Sequence, residues 1–247
     1  MTARPSYRLA WLYPDLLELY GDSGNITLLR HRCAELDVDL HVDRYSVGDS
    51  ADLPSYDMVF LGGGSDREQQ IFYADLMARK GAFTEAIESD AVVLTICGGY
   101  QLFGSYYQNL DGHQIDGLGI FGYHTIGAAP RTVGYLVEEA TLDGATLTLA
   151  GFENHSGLTY GVDSPLARVL KGTGNNREDD TEGVSYRNLI GTYLHGPLLA
   201  RNPELTDLLI SRMARRRGHD LVLTPRASRF SQEAKNQVLR ELGLDAG

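Results

Sequence analysis

Two short apolar runs, each followed by glycines, constrain the fold of this chain more than any other feature. The first is Met58–Leu61, followed by a triple glycine, and the second runs from Ala91 to Ile96 and is followed by Cys97 and two glycines. Unbroken apolar runs of this length are typical of strands buried on both faces. Because segments with helical patterns separate such runs, we predict an α/β fold with a mostly parallel sheet flanked by helices.

Other segments carry weaker patterns for further elements. The other predicted strands are Leu9–Tyr13, Val38–Tyr45 and Val184–Leu194. The predicted helices begin at the N-cap Asn25, run from Arg67 to Lys80 with Gly81 as the stop, and span Phe83–Glu88, Pro203–Arg216 after the N-cap Asn202, and Gln232–Leu242. Short runs between Gly112 and Tyr160, such as Val133–Glu138 and Thr146–Leu149, predict antiparallel strands added to the parallel sheet.

Length and charge limit the classes of protein to consider. We expect one domain over residues 1–247, with a core from about 7 to 210 and a C-terminal helical extension over 211–247. The 22 basic and 33 acidic residues leave a formal net charge of −11, which argues against general nucleic-acid binding. With two cysteines, no signal-peptide pattern and no long apolar run, we expect a cytoplasmic protein that is not inserted in a membrane.

Cys97 is the candidate nucleophile. It lies at a predicted corner between a strand and a helix, where Gly98 and Gly99 reduce steric hindrance. The free N–H groups at a helix N-terminus lower the pKa of a thiol and favour the thiolate. Local context leaves open the alternative that Cys97 is a small apolar residue closing a buried strand. The other cysteine, Cys33, lies on an apolar helical stripe and is read as core packing.

His195 is the candidate base. It follows the apolar run from Asn188 to Leu194 and precedes Gly196 and Pro197. In open α/β sheets, ligands bind outside the carboxyl ends of the strands, where both Cys97 and His195 are predicted to lie. The alternative is that His195 is a structural residue at the end of a strand and not a base.

The triple glycine, Gly62–Gly64, is a candidate oxyanion site. Acyl transfer needs backbone N–H donors aimed at the developing oxyanion, and the N–H of Gly98 is a natural second donor. A phosphate loop is disfavoured because the segment lacks the Lys-Ser/Thr ending and the spacing of that motif. A purely structural turn remains the alternative.

Taken together in chain order, the triple glycine, the Cys97 corner and the His195 segment resemble class I, triad-type glutamine amidotransferases of the cobyric acid synthase-like group. These proteins have a flavodoxin-like fold. The resemblance covers about Tyr7 to Ile210, and the stretches that carry it are Tyr20–Asn25, Gly62–Gln69, Cys97–Gln101, Phe152–Gly157 and Gly191–Pro197. It implies that glutamine is hydrolysed to glutamate and ammonia. Cys97 would attack the side-chain amide and His195 would carry the proton to the leaving ammonia.

The same resemblance implies roles for further residues. Gly63 and Gly98 would hold the oxyanion, although which of the three glycines donates stays open. Arg131 would bind the α-carboxylate of glutamine, since a guanidinium pairs two oxygens. Further pocket residues, or residues that orient the base, would be Gln101, Glu153 and His155. No metal ligand is expected.

Pro197 departs from the family pattern. Many relatives carry a glutamate two residues after the catalytic histidine, where it orients the imidazole. Either another acid, such as Glu153 or Asp22, takes this role here, or the enzyme works with a Cys97–His195 pair. A missing orienting acid should weaken basal activity, and we expect the binding of a partner to compensate.

The resemblance also implies a partner. Within that group, the chain looks like glutaminases that work with a separate Mur ligase-like synthetase, which would hold ATP and Mg²⁺ and amidate the D-glutamate of lipid II. This chain is expected to carry no cofactor itself. Two alternatives stay open: a glutaminase for another acceptor, such as a corrin-ring carboxylate, and a non-catalytic regulatory module.

Overall fold

The computed structural model describes residues 4–226 and 229–244. Its strands, in chain order, are β1 (Ser6–Leu12), β2 (Asp39–Tyr45), β3 (Met58–Leu61), β4 (Val92–Ile96), β5 (Tyr106–Gln108), β6 (Gln114–Asp116), β7 (His124–Leu142), β8 (Ala145–Tyr160), β9 (Ala167–Lys171), β10 (Thr181–Glu182), β11 (Val184–Tyr186) and β12 (Leu189–Thr192). Its helices within the described ranges are α1 (Ser23–Glu35), α2 (Asp66–Ala78), α3 (Lys80–Glu88), α4 (Gly98–Gln101), α5 (Leu198–Arg201), α6 (Pro203–Arg216) and α7 (Phe230–Glu241), with a 3₁₀ turn at Leu53–Ser55.

The first sheet is the predicted parallel sheet. Its strand order is β11-β12-β4-β3-β1-β2, and every neighbouring pair except β11–β12 is parallel. Every residue of β3 and β4 is buried, because helices cover the central strands. The predicted α/β class with a mostly parallel sheet is therefore confirmed.

The antiparallel strands form a second sheet. Its order is β10-β9-β7-β5-β6, and β8 pairs with β7 in a long hairpin. The expectation that these strands are added to the parallel sheet is wrong, because they form a sheet of their own. The hairpin satisfies its backbone groups internally and against β5 and β9, while β11 occupies the edge of the first sheet.

Several boundaries differ from the predicted ones. Helix α1 begins at Ser23, and Asn25 lies inside it because its side chain accepts a hydrogen bond from the Leu199 N–H at 2.9 Å. Gly81 lies within α3, and the helical path breaks at Arg79 instead, whose guanidinium contacts a neighbouring carboxylate and carbonyl. The predicted strand at Val184–Leu194 is the β11–β12 hairpin.

Helix α6 starts at Pro203, as predicted. The division of the chain into a core and a C-terminal extension stays a prediction. Helix α6 runs across residue 210, the predicted end of the core. Of the extension at 211–247, residues 227, 228 and 245–247 lie outside the described residues. Helix α7 packs through Leu239 against Val137 and Ala150 of the second sheet. Among the described helices, none has the length and apolar composition needed to cross a bilayer.

Candidate active site

Three strand ends meet at the carboxyl edge of the parallel sheet. Strand β3 leads into Gly62–Gly64, β4 into Cys97, and β12 through two further residues into His195. Since these strands are neighbours in the order β12-β4-β3, the segments that follow them lie side by side. The Cys97 N–H donates to the Thr192 carbonyl at 2.8 Å, which ties the end of β4 to the end of β12.

Cys97 adopts an uncommon backbone conformation. Its φ is 49° and its ψ is −107°, at the corner between β4 and α4. Non-glycine residues adopt positive φ at a cost, and they keep it where the surrounding packing imposes it. Here a Cβ on Gly98 would lie 2.6 Å from Gln69 Nε2, and one on Gly99 would lie 2.9 Å from the Gly62 carbonyl oxygen. The corner therefore requires glycines at these positions and presents the thiol at its tip.

Gly63 lies between the candidate nucleophile and the candidate base. A Cβ at this position would lie 3.3 Å from Cys97 Cβ, 3.2 Å from His195 Cε1 and 3.5 Å from Asp22 Oδ2. The structure thus brings the three predicted elements together around one point. Helix α2 starts just after the glycines, at the N-cap Ser65, where Ser65 and Glu68 form a capping box.

His195 is fully buried behind Cys97. Its ring stacks on Phe152 at a centroid distance of 5.4 Å and meets Tyr20 edge-on at 4.6 Å. Its backbone exchanges two hydrogen bonds with Phe152, which join the first sheet to β8. Burial lowers the pKa of His195 to about 3, with smaller contributions from His155 and Arg131. The imidazole is therefore neutral at pH 7, and burial also makes it a weaker base than a free imidazole.

Among the residues that the structure describes, no acid orients His195. Among residues 4–226 and 229–244, neither ring nitrogen has a hydrogen-bond partner. Glu153 accepts the N–H groups of Thr173 and Gly174 and lies 3.5 Å from His155 Nε2. Asp22 accepts the Gly63 N–H at 2.7 Å. Both acids considered from the sequence are thus engaged elsewhere, and the arrangement is that of a Cys–His pair.

The oxyanion prediction for Gly63 also needs revision. Its N–H points to the Asp22 carboxylate rather than toward Cys97. Of the three glycines, Gly64 is the one that lines the cavity together with Cys97. Asp22 is 1% exposed, and its Oδ1 has no partner among the described residues. Burial raises the pKa of Asp22 to about 7, and the nearby charge of Glu18 adds to this effect.

We expect Asp22→Asn to stabilise the protein at alkaline pH. Because the folded-state pKa lies above the ordinary value, the folded chain holds a proton here that the unfolded chain has lost. Stability therefore falls as the pH rises from about 4 to about 7. Asparagine carries no charge and keeps an oxygen to accept the Gly63 N–H. The variant should unfold with a free energy on the order of 1–3 kcal/mol higher than wild type at pH 8, and with little difference at pH 4.

Thermal melts at several pH values check this expectation. Asp15→Asn is the matched control, because Asp15 lies in the same loop with its side chain 72% exposed in an ion pair with Arg44. Equal melting curves for Asp22→Asn and wild type at pH 8 would show that no charge is buried at Asp22.

A cavity of about 350 Å³ opens beside Cys97, large enough for an amino-acid substrate. The residues that line it with Cys97 are Leu19, Gly64, Ser65, Arg67, Gln69, Gln101, Tyr107, Leu110, Arg131, His155, Ser156 and Gly157. The predicted pocket residues Gln101 and His155 are among them, whereas Glu153 lies behind His155. Gln101 donates to the Tyr193 hydroxyl at 3.1 Å.

Arg131 lies at the wall of this cavity and is held by the neighbouring strand. Its guanidinium donates to Asn154 Oδ1, to the Asn154 carbonyl at 2.8 Å and to Ser156 Oγ at 3.1 Å. A guanidinium has five N–H donors, so these three contacts leave donors for a carboxylate. The position suits the role that the sequence predicts for Arg131.

Sequence reasoning missed several residues of the site. Gln69 is 1% exposed and lines the cavity, and its Oε1 has no partner among the described residues. Gln69 is the last residue of the stretch Gly62–Gln69, which carries part of the family resemblance. That stretch was a signal by which Gln69 could have been found. Tyr107 and Leu110 reach the cavity from β5 and the turn after it, and no local pattern marks them.

The chain was compared with known proteins. A family model for the CobB/CobQ-like glutamine amidotransferase domain matches residues 8–203. The chain belongs to this family. The match spans all three strand ends and the triple glycine, Cys97 and His195, so the candidate site lies within the amidotransferase domain.

Two relatives of this amidotransferase are similar over most of their length. Lipid II isoglutaminyl synthase (glutamine-hydrolyzing) subunit GatD of Streptococcus pneumoniae is 40% identical over 230 residues, which cover 91% of this chain and 87% of that protein. The subunit of the same name from Staphylococcus aureus is 43% identical over 204 residues, 83% of each chain. A probable cobyric acid synthase of Methanocaldococcus jannaschii is 27% identical over 176 residues, 66% of this chain and 35% of that protein.

Solved structures agree on the fold. The glutaminase domain of Trypanosoma brucei CTPS with bound acivicin superimposes with a TM-score of 0.51 at 14% identity, covering 91% of this chain and 98% of the domain. A second glutamine amidotransferase structure gives a TM-score of 0.52 at 14% identity, covering 83% of this chain and 98% of that chain. At this identity the likeness supports the amidotransferase fold alone.

Proposed function

We propose that this chain is the glutaminase subunit of a lipid II isoglutaminyl synthase and releases ammonia from L-glutamine for use by a synthetase. The observation that carries this proposal is the position of Cys97. It lies on a strained corner at a substrate-sized cavity, with His195 behind it and Arg131 at the wall. The names of the two bacterial relatives support the choice of reaction.

The proposed reaction begins when the Cys97 thiol gives its proton to the neutral His195 imidazole. The sulfur attacks the side-chain amide carbon of glutamine, and the backbone N–H groups of Gly98 and of Gly64, which lines the cavity, stabilise the oxyanion. The imidazolium then protonates the leaving nitrogen, and ammonia departs. Water attacks the thioester, and glutamate and the free thiol are released.

We propose a Mur ligase-like synthetase of the MurT type as the partner. It would bind ATP and Mg²⁺ and activate the D-glutamate carboxylate of the stem peptide in lipid II. Ammonia from this chain would convert that carboxylate to the amide of D-isoglutamine. The word "subunit" in the names of both relatives supports a two-chain enzyme.

Reconstitution tests this proposal. The chain is co-expressed with the Mur ligase-like protein from the same source, and the complex is incubated with glutamine, ATP, Mg²⁺ and lipid II. We expect amidated lipid II and glutamate in equal amounts. A parallel assay replaces lipid II by a corrinoid acid, and amidation there instead would favour the other acceptor. A complex that releases no glutamate at all would favour a regulatory module.

We expect the synthetase to activate the glutaminase. Since His195 has no orienting acid among the described residues, the isolated chain should turn over slowly. Glutamate release should rise by at least about tenfold when the synthetase is added, because orientation of the base affects kcat strongly. Equal turnover with and without the synthetase would contradict this expectation.

We expect Arg131 to determine the affinity for glutamine. Arg131→Ala removes a guanidinium at the cavity wall and should raise KM on the order of ten- to hundredfold, the range for a lost charge-assisted contact, with a smaller change in kcat. Arg131→Lys should recover only part of the loss, because an ammonium group cannot pair two oxygens. Arg168→Ala, at an exposed ion pair with Glu139, is the control. An unchanged KM in Arg131→Ala would remove Arg131 from the substrate site.

A further inference from the structure

Three glutamate side chains lie inside the protein behind the candidate site. Glu138 on β7 and Glu182 on β10 are fully buried, and Glu153 on β8 is 2% exposed. Buried glutamates normally have a cationic partner. Within the described ranges, only one of these three carboxyls has an ion-pair partner: Glu153 lies 3.5 Å from His155 Nε2. The protein therefore buries three acids, although burying a charge is costly. The proposed reaction does not use these acids directly.

Glu182 differs from the other fully buried glutamate in having hydrogen-bond partners. Both of its oxygens accept hydrogen bonds, whereas neither oxygen of Glu138 has a hydrogen-bond partner among the described residues. Burial raises the pKa of both carboxyls.

Glu182 uses its own oxygens to hold the segment that leads to His195. It accepts the Tyr193 N–H at 2.7 Å and the Thr192 hydroxyl at 3.1 Å. The Thr192 hydroxyl oxygen in turn accepts the Leu194 N–H at 2.9 Å. Strand β12 ends at Thr192, so these N–H groups have no partner strand and depend on the carboxylate.

The same segment contacts both reacting residues. The Thr192 carbonyl accepts the Cys97 N–H at 2.8 Å, and the His195 N–H donates to the Phe152 carbonyl at 2.9 Å. The Tyr193 ring between them stacks on His155, with 3.8 Å between ring centroids. A shift of this segment would therefore move the thiol and the imidazole relative to each other. Displacements of about 1 Å can cost on the order of a hundredfold in rate.

We propose that Glu182 is a positioning residue for the Cys97–His195 pair. This inference rests on the proposed glutaminase function. Glu182 acts through the backbone of the segment at 192–195, since it lies inside the protein and does not line the substrate cavity.

The test compares Glu182→Met, which is close in volume and has no oxygen, with Glu182→Gln, which keeps one, in the complete complex with the synthetase. Glu139→Met is the matched control, because Glu139 is a strand glutamate of β7 that is 42% exposed in an ion pair with Arg168. The measurements are kcat and KM for glutamine, the melting temperature, and the rate at which iodoacetamide alkylates Cys97 in the absence of substrate.

We expect Glu182→Met to lower kcat on the order of ten- to hundredfold with little change in KM, and to slow the alkylation of Cys97. Glu182→Gln keeps an oxygen that can accept the Tyr193 N–H, so its kcat should fall far less than that of Glu182→Met.

Two results would overturn the proposal. One is a folded Glu182→Met complex with wild-type kcat and a wild-type alkylation rate. The other is a Glu182→Gln complex whose kcat falls as far as that of Glu182→Met, since an acceptor oxygen would then not be what positions the segment. If the wild-type complex releases no glutamate, the proposed function fails, and the alkylation rates still decide whether Glu182 positions Cys97.

Discussion

Cys97→Ala is expected to abolish glutamine hydrolysis while leaving the use of free ammonia intact. Removing the nucleophile of a covalent mechanism costs on the order of a thousandfold or more in kcat. The synthetase, however, needs only ammonia at its own site. The variant complex should therefore amidate lipid II with ammonium chloride at the wild-type rate and fail to do so with glutamine. Parallel assays with the two nitrogen sources check this.

The chain offers a matched control in its other cysteine. Cys33 is fully buried in the core, and burial raises the pKa of its thiol to about 12. Cys33→Ala should keep glutaminase activity and lose stability on the order of 1 kcal/mol for the small group removed from the core. Iodoacetamide should label the wild-type chain at Cys97 and not at Cys33. Glutamine-dependent amidation by Cys97→Ala would refute the assignment of the nucleophile.

Gly63→Ala is expected to lower kcat on the order of a hundredfold without unfolding the protein. The new methyl group would lie 3.2 Å from His195 Cε1 and 3.3 Å from Cys97 Cβ, so it would push the two reacting side chains apart. Gly63 is not among the glycines with positive φ, so alanine is compatible with its backbone. The effect should thus appear in activity more than in stability.

Gly81→Ala is the control for this substitution. A Cβ at Gly81 meets nothing within 4 Å, and the residue lies inside α3. Alanine there should keep activity and raise stability by about 0.5–1 kcal/mol. Steady-state kinetics and thermal melts of both variants separate the outcomes. Wild-type kcat in Gly63→Ala would mean that Cys97 and His195 do not act across this glycine.

Much of the site could be predicted because its residues follow strong local patterns. Apolar runs marked the buried strands, and the residues just after them had to lie at one edge of a parallel sheet. Cys97, the triple glycine and His195 were found in this way. Arg131 came from the family resemblance, since an arginine on a long hairpin carries no local signal of its own.

The contacts that adjust the site could not be predicted, because they join distant parts of the chain. Asp22 and Gly63 are 41 residues apart, and no local pattern shows that the carboxylate takes the glycine N–H. The contacts of Glu182 with Thr192 and Tyr193 likewise depend on how the second sheet packs against the first. An acidic residue in a strand is ordinarily read as solvent-exposed, so Glu182 gave no sign of burial.

The sequence alone determined the fold class, the edge of the sheet that carries the site and the identity of the candidate nucleophile and base. These follow from periodicity, glycine placement and chain order, which are local properties. Only the tertiary structure decided that the antiparallel strands form their own sheet, that Asp22 occupies the Gly63 N–H and that His195 has no orienting acid in the described residues. Each of these depends on which groups meet after the chain folds, and burial then determines their charge and hydrogen bonding.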